Sequence, residues 1–201
     1  MKTKLSKTRK QMTSKLSIVA LILCALMSIN QQAQEIPNRE KFIFEFSVGL
    51  GVITLENSSG TQTFDTAESE VIFPDLKVGY MVKENLAVTV SLPGMIYSFE
   101  DNDRHFGGIL PGVQYWFSNK WWVNGGIGLA IDSPALYDIN DENDDWHYGK
   151  LVSAGVGYEF YQKENFAMNV QSKLVMGSAN IGNGQDRNAV SFGLSLGFNW
   201  F

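Results

Sequence analysis

Histidine is the side chain best suited to acid–base chemistry near neutral pH, and this chain has two, His105 and His147. Catalysis by such a histidine needs a nucleophile or an orienting group at a fixed spacing. Neither histidine has a serine two residues further on, because Gly107 and Gly149 stand there. Both histidines adjoin polar stretches, where a histidine is ordinarily solvated. The sequence therefore predicts that the protein is not an enzyme.

A second candidate for chemistry is the acidic stretch at residues 138–145, which offers oxygen ligands at alternate positions, as a calcium-binding loop does. It lacks the glycine that such a loop needs at its turn, and no closing glutamate stands at the required distance. A solvated acidic loop is the favoured interpretation, and we predict no metal site and no cofactor. The sequence leaves open whether residues 138–145 bind divalent cations.

The last twelve residues, 190–201, alternate large apolar residues with small or polar ones. Period two over this length predicts a β-strand with one apolar face. Strands of soluble proteins are ordinarily about five or six residues long, whereas a tilted strand that crosses a bilayer needs roughly 9–11. Taken alone, the run fits a membrane-barrel strand and the last strand of a soluble β-sandwich equally well.

The start of the chain indicates export. Six basic residues precede an apolar run at residues 16–29, and together they have the pattern of a secretory signal peptide, which we place at residues 1–33. The apolar run is too short for a transmembrane helix. The single cysteine, Cys24, lies inside the signal peptide, so no disulfide is expected in the mature chain.

The charge of the mature chain limits its partners. All 21 acidic residues follow residue 33 and six of the 16 basic residues precede it, which leaves 10 basic residues against 21 acidic ones and a net charge of −11. A nucleic-acid-binding protein would need a basic surface, so nucleic acid is not an expected partner. The remaining length fits one domain.

Period-two alternation recurs in eight segments of the mature chain, and the connections between them alternate in length. The segments are residues 42–54, 71–82, 86–99, 108–117, 121–131, 148–161, 166–177 and 190–201. Tight turns at residues 83–85, 118–120 and 162–165 alternate with longer polar connections, as they do when the two ends of a membrane barrel face different compartments. A sandwich with Greek-key crossovers has no reason to follow this rule. We therefore predict an all-β fold, an eight-stranded antiparallel up-and-down transmembrane β-barrel at residues 42–201, preceded by a short periplasmic segment at 34–41.

Aromatic residues cluster beside the tight turns, where a membrane barrel carries an interfacial girdle. The predicted girdle consists of Tyr80, Tyr115, Phe117, Trp121, Tyr158, Phe160, Phe166, Phe198 and Trp200. The aromatic residues beside the longer connections are assigned to a second girdle at the opposite interface. They are Tyr97, Phe99, Phe106, Tyr137, Trp146 and Tyr148.

Two of the tight turns have nearly the same sequence, Lys-Glu-Asn followed by an apolar residue, at residues 83–86 and 163–166. With the alternating connections and the terminal aromatic strand, they resemble the small outer-membrane barrels of the OmpX type, including the transmembrane part of OmpA. The resemblance implies a monomer in the cell outer membrane, in contact with outer-membrane lipid and lipopolysaccharide. It also implies that Phe198, Trp200 and Phe201 form a C-terminal signal read by the barrel-assembly machinery. The His-x-Ser motif of the lipopolysaccharide-deacylating barrels is absent at both histidines.

Charged residues also fall on the inward phase of the predicted strands. They are Glu45, Asp75, Lys77, Glu159 and Lys173. Eight strands leave an interior just wide enough for side chains, and an unpaired charge there would be costly. We therefore expect a lumen charge network that plugs the barrel, and a narrow ion or proton path is the alternative.

Two functional classes follow from this architecture. The first is a structural or surface-interaction barrel, whose acidic extracellular loops meet an extracellular ligand. The second is a porin-like transport barrel for small solutes or apolar molecules, similar to OmpW-like barrels. We predict the first, while the sequence identifies neither a ligand nor a transported solute.

Overall fold

The computed structural model describes residue 39 and residues 41–57, 68–99, 102–139 and 145–201, with only the backbone described at 57, 68–73 and 99. The predicted signal peptide lies outside the described residues. Within these ranges, no helix is long and apolar enough to cross a membrane. The described ranges contain nine strands: β1 (Phe42–Asn57), β2 (Glu68–Lys83), β3 (Leu86–Leu92), β4 (Gly94–Phe99), β5 (Asn102–Trp116), β6 (Trp121–Pro134), β7 (His147–Lys163), β8 (Phe166–Gly182) and β9 (Gln185–Trp200).

The strands form one closed antiparallel sheet in chain order. β1 pairs with β2 on one side and with β9 on the other, which closes the ring. β3 and β4 take the place of the single third strand predicted at residues 86–99, because the strand is divided at Pro93, which has no N–H to donate to the ladder. Both halves pair with β5. The predicted up-and-down barrel is thus confirmed, with its third strand in two parts.

The outer surface of the barrel wall is apolar. Side chains alternate along each strand, so on β1 the side chains of Ile43 and Glu45 are buried in the lumen whereas Phe44 and Val48 are exposed on the outer surface. Exposed valine, leucine, isoleucine and aromatic side chains recur in this way on every strand from β5 to β9. A continuous apolar surface around a closed sheet is typical of a wall that faces lipid.

The two ends of the barrel differ in their connections. The end with the short turns between β2 and β3, β5 and β6, and β7 and β8 is called the turn end, and the opposite end is the loop end. Two of the four long connections predicted at the loop end are wrong, since β4 and β5 are separated by residues 100–101 alone and β8 and β9 by 183–184. The polar residues at 102–105 and 178–182 extend the strands, which at 14–17 residues in β5 to β9 exceed the roughly 9–11 that a membrane crossing needs.

The β8–β9 turn is sharp because its backbone is left-handed. Gly182, Asn183 and Gly184 have φ angles of 88°, 51° and 71°. Glycine adopts such angles without steric cost, and asparagine tolerates them better than most residues. The Gly and Asn residues of the predicted loop at 178–187 therefore mark a tight hairpin.

The outward face of the wall can be tested by placing a charge on it. Val90 lies outward on β3 and is 40% exposed. We expect Val90→Arg to lower the free energy of unfolding in lipid vesicles by about 2–4 kcal/mol, because a charge near mid-depth is costly on a lipid-facing wall. Val82→Arg, outward near the turn end, is the control and should cost about 0–1 kcal/mol. Urea titration of the refolded proteins measures both, and equal effects would contradict the assigned facing.

Candidate functional site

The lumen contains an ion pair between β1 and β2. Glu45 and Lys77 are register partners on these strands, and both side chains are almost fully buried. Lys77 Nζ lies 3.0 Å from Glu45 Oε1 and donates a 2.6 Å hydrogen bond to Gln114 Oε1 on β5. Its Nζ also lies 4.7 Å from the ring centre of Trp122 on β6, a cation–π contact. The Lys77 ammonium is therefore held by three other strands of the wall.

Two amides of β8 hold the carboxylate of this pair. Gln171 Nε2 donates to Glu45 Oε1 at 3.1 Å, and Asn169 Nδ2 donates to Glu45 Oε2 at 3.4 Å. Burial of the carboxylate is costly unless it is paired and hydrogen-bonded, and Glu45 is both. The Glu45–Lys77 pair and its amide partners thus form a polar layer that joins β1, β2, β5 and β8 across the lumen.

A second ion pair lies one step nearer the loop end. Lys173 Nζ on β8 donates to Asp75 Oδ2 on β2, so the partner of Lys173 is Asp75 and not Glu45. A cavity of about 30 Å³ adjoins the two side chains, which is enough space for a water molecule. Asp75 Oδ1 is buried without a hydrogen-bond partner among the described residues. A water molecule in this cavity would supply that partner.

Glu159 lies apart from these two pairs, near the turn end. Its Oε2 accepts from Arg39 Nη2 at 2.6 Å and from Gln162 Nε2 at 2.7 Å, and its Oε1 accepts from Trp116 Nε1 at 2.7 Å. The Arg39 guanidinium also lies 4.9 Å from the ring centre of Trp116. The five predicted charges thus form two ion pairs and a separate group around Glu159. The sequence missed Arg39, which precedes the first strand and whose side chain reaches Glu159.

A further charged cluster near the loop end was not predicted at all. Asp132 accepts from Arg104 Nε at 3.1 Å and from Arg187 Nη1 at 2.6 Å. Tyr97 Oη donates to Asp132 Oδ1 at 2.8 Å and accepts from Arg187 Nη1 at 2.9 Å. All four side chains are buried, so Asp132 is not a surface acid of the loop to which the sequence assigned it. The cluster joins β4, β5, β6 and β9.

Apolar side chains fill much of the remaining lumen, for which the sequence predicted only a charge network. A cluster near the loop end contains Ile53, Leu55, Met95, Tyr97, Phe106, Leu110 and Leu151. A second, near the turn end, contains Ile43, Met81, Ala87, Trp116 and Trp122. Tyr97 and Phe106 are therefore not part of an outer girdle, which is a correction. The lumen consists of charged layers between apolar ones.

Comparison with known proteins identifies the fold. No protein-family model and no curated protein matches the sequence. The structure is similar to that of Neisserial surface protein A, at 17% identity and a TM-score of 0.53, over 78% of this chain and 96% of that one. It is also similar to Ail, the attachment invasion locus protein of Yersinia pestis, crystallised with the heparin analogue sucrose octasulfate. That match has 14% identity and a TM-score of 0.51, and covers 80% of this chain and 99% of Ail.

The chain has the fold of a small outer-membrane β-barrel. The predicted location in the cell outer membrane accords with this fold.

Aromatic side chains surround the turn end of this outer-membrane barrel. Trp121 lies 4.8 Å from Tyr158 between ring centres, and Trp200 lies 5.3 Å from Phe166 and 5.7 Å from Phe44. Tyr80, Tyr115, Phe117, Trp121 and Trp200 are exposed on the outer surface, and Tyr158, Phe166 and Phe198 are partly exposed.

Phe160 differs from the rest of the predicted girdle, because it is only 7% exposed. A β-bulge between Glu159 and Tyr161 leaves Phe160 without a register partner on β8. Tyr161 then contacts the girdle residue Phe166, with ring centres 6.2 Å apart. The placement of Phe160 on the outer face is thus a correction to the predicted girdle.

The last residue of the barrel points inward. Phe201 packs against the turn-end apolar cluster, with its ring centre 6.3 Å from that of Trp116, and its N–H donates to the Asn165 carbonyl at 3.1 Å. Because Trp200 faces outward, Phe201 falls on the inward phase of the strand alternation. The assembly-signal role of Phe198, Trp200 and Phe201 stays a prediction.

The histidines lie near the loop end of the barrel. His105 is on β5 with its imidazole over Gly94, and His147 begins β7. Among the described residues, no group of three histidine, cysteine or acidic side chains could hold a metal ion. Most of the acidic stretch at residues 138–145 lies outside the described ranges, so its cation binding stays an open question.

Proposed function

We propose that the protein is an outer-membrane barrel with a plugged lumen, whose role is structural or surface interaction and not transport. The observation that carries this proposal is the Glu45–Lys77 pair, which contacts Gln114, Trp122 and Gln171 from different sides of the ring. A solute would have to displace side chains that satisfy one another's charges. The Asp75–Lys173 pair and the Asp132 cluster support the same conclusion at other positions along the barrel axis.

The proposal includes partners that the barrel architecture implies. The wall contacts outer-membrane lipid and lipopolysaccharide, the barrel-assembly machinery inserts the chain as a monomer, and the loop end meets an extracellular ligand. Ail was crystallised with a sulfated sugar, but the net charge of −11 on the mature chain would repel a polyanion. The sign of the charge therefore favours a cationic extracellular partner.

Single-channel recording separates this function from the transport alternative. We expect the refolded protein to give no ion current in a planar bilayer, because the paired charges leave no continuous polar path. Refolding is checked by circular dichroism before recording. A steady current in the wild type that changes in Lys77→Met, and stays the same in Lys83→Met at the exposed end of the same strand, would overturn the proposal and favour an ion path.

A further inference from the structure

An apolar groove lies on the outer wall near the loop end, away from the lumen. Its volume is about 250 Å³. The walls come from outward side chains of β2 to β6, among them Leu76, Leu92, Ile96, Ile109 and Ile131. The segment that follows β6 covers one side through Leu136 and Tyr137. The groove is almost wholly apolar on all sides.

The groove coincides with a break in the sheet. β2 pairs with β3 from Leu76 onward and with β4 only at Ile72, opposite Met95. Pro74 and Pro93 lie at this gap and line the groove, and neither has an N–H with which to bridge it. The missing ladder pairs leave a depression in a wall that is otherwise continuous.

His105 packs closely against this break. A Cβ on Gly94 or on Gly107 would overlap the His105 imidazole, so these two glycines let the ring lie flat against β4. The ring thereby becomes part of the groove lining. This is the close backbone approach for which glycine is needed.

The cover of the groove is held in place by hydrogen bonds to Asp103 on β5. Ala135 N–H donates to the Asp103 carbonyl at 2.9 Å, and Asp103 N–H donates to Asp138 Oδ2 at 2.6 Å. Tyr137 Oη donates to Asp103 Oδ2 at 3.0 Å. The segment is therefore fixed against the wall, and the groove is preformed.

We propose that this groove binds one acyl chain of a membrane phospholipid. This inference rests on the membrane location in the proposed function. Leu76, Leu92 and Ile109 belong both to the groove and to the exposed apolar wall, so the site is continuous with the surface that lipid already covers. A cavity of about 150 Å³ with apolar walls holds benzene, and this one has room for a longer run of methylenes.

The occupant is assigned to lipid because of where the groove opens. It lies on the outside of the wall, and its rim carries Tyr137 and Trp146, two exposed aromatic side chains. Aromatic side chains of this kind favour the level of lipid headgroups. A lipid held here would place its chain in the groove and its headgroup near these two rings.

Native mass spectrometry of the refolded protein tests the site. The protein is released from vesicles of palmitoyl-oleoyl phosphatidylethanolamine and phosphatidylglycerol, and retained lipid is counted per chain. We expect the wild type to retain one phospholipid. Leu92→Trp and Ile109→Trp, which each place a large ring in the groove from neighbouring strands, should abolish retention.

The matched controls are Val90→Trp and Val113→Trp, which add the same ring to the same strands outside the groove. Both lie outward and are exposed, and both should retain lipid as the wild type does. Equal retention in all four variants, or none in the wild type, would overturn the proposal. Binding of the soluble apolar dye N-phenyl-naphthylamine without any lipid retention would also overturn it. If instead the proposed plug is wrong, the wild type would conduct ions in the planar-bilayer recording, which is independent of lipid retention.

Discussion

Lys77→Met is expected to lower the free energy of unfolding by about 3–5 kcal/mol, because it leaves the buried Glu45 carboxylate without its cation. Methionine has nearly the length of lysine, so packing against Trp122 is largely kept. The fall in the free energy of unfolding then measures the effect of the missing charge. Urea titration in lipid vesicles, followed by circular dichroism, gives the value. Lys83→Met, exposed at the end of the same strand, should change the free energy by less than about 0.5 kcal/mol.

The double variant Lys77→Met with Glu45→Gln distinguishes a lost ion pair from a packing defect. It removes both charges and leaves at position 45 an amide oxygen to which Gln171 Nε2 can still donate. Part of the loss should therefore be recovered, giving a coupling energy of about 0.5–3 kcal/mol between the two positions. Small, additive effects would indicate a hydrated lumen and would contradict the plug.

Asp132→Asn is expected to cost about as much, roughly 3–5 kcal/mol, because one carboxylate compensates two buried guanidinium groups. Asparagine keeps the shape and one acceptor oxygen, but Arg104 and Arg187 would then lie together without an anion. The same urea titration measures the loss.

The control for this change is Glu56→Gln, an exposed acid on β1 toward the same end of the barrel. Its effect should stay within about 0.5 kcal/mol. Adding Arg187→Gln to Asp132→Asn removes one of the stranded cations and should restore part of the stability. If Asp132→Asn and Glu56→Gln behave alike, water reaches the cluster and the loop end of the lumen is open.

The fold could be predicted from the sequence because a lipid-facing wall imposes period two on every strand. The same periodicity predicts that Glu45, Lys77 and Lys173 face inward, although the partner of each charge depends on strand register. Lys173 illustrates this: the inward phase does not distinguish Glu45 from Asp75 as its partner, whereas the β1–β2 ladder sets Glu45 opposite Lys77 and Lys173 pairs with Asp75.

The Asp132 cluster was missed because polar residues at strand ends were assigned to loops. Polar residues are ordinarily assigned to solvent-exposed loops. In this barrel the long strands continue past the apolar wall, so their polar ends are still paired in the sheet. Extending the inward phase of β6 from Gly128 through Ala130 arrives at Asp132, and the same step on β5 from Leu110 through Phe106 arrives at Arg104. The signal was therefore present in the alternation beyond the apolar run.

Other features had no signal in the sequence. Arg39 precedes the first strand, so no periodicity fixes where its side chain points. The bulge at Phe160 adds one residue to β7 without a glycine or proline to mark it. Pro93 can be read from the sequence as a break in a strand. It does not indicate the groove that the break leaves on the outside of the wall.

The sharp β8–β9 hairpin has a consequence for the order in which the barrel forms. Its ladder runs without a long connection from Gly182 opposite Gln185 to Phe166 opposite Trp200, so little loop entropy is lost when it closes. The β1–β9 ladder instead joins Phe44 to Trp200, near the two ends of the sheet in the chain. Contacts close in sequence form fast and distant ones slowly. The β8–β9 hairpin should therefore form early in folding, and the pairing of β1 with β9 should form last.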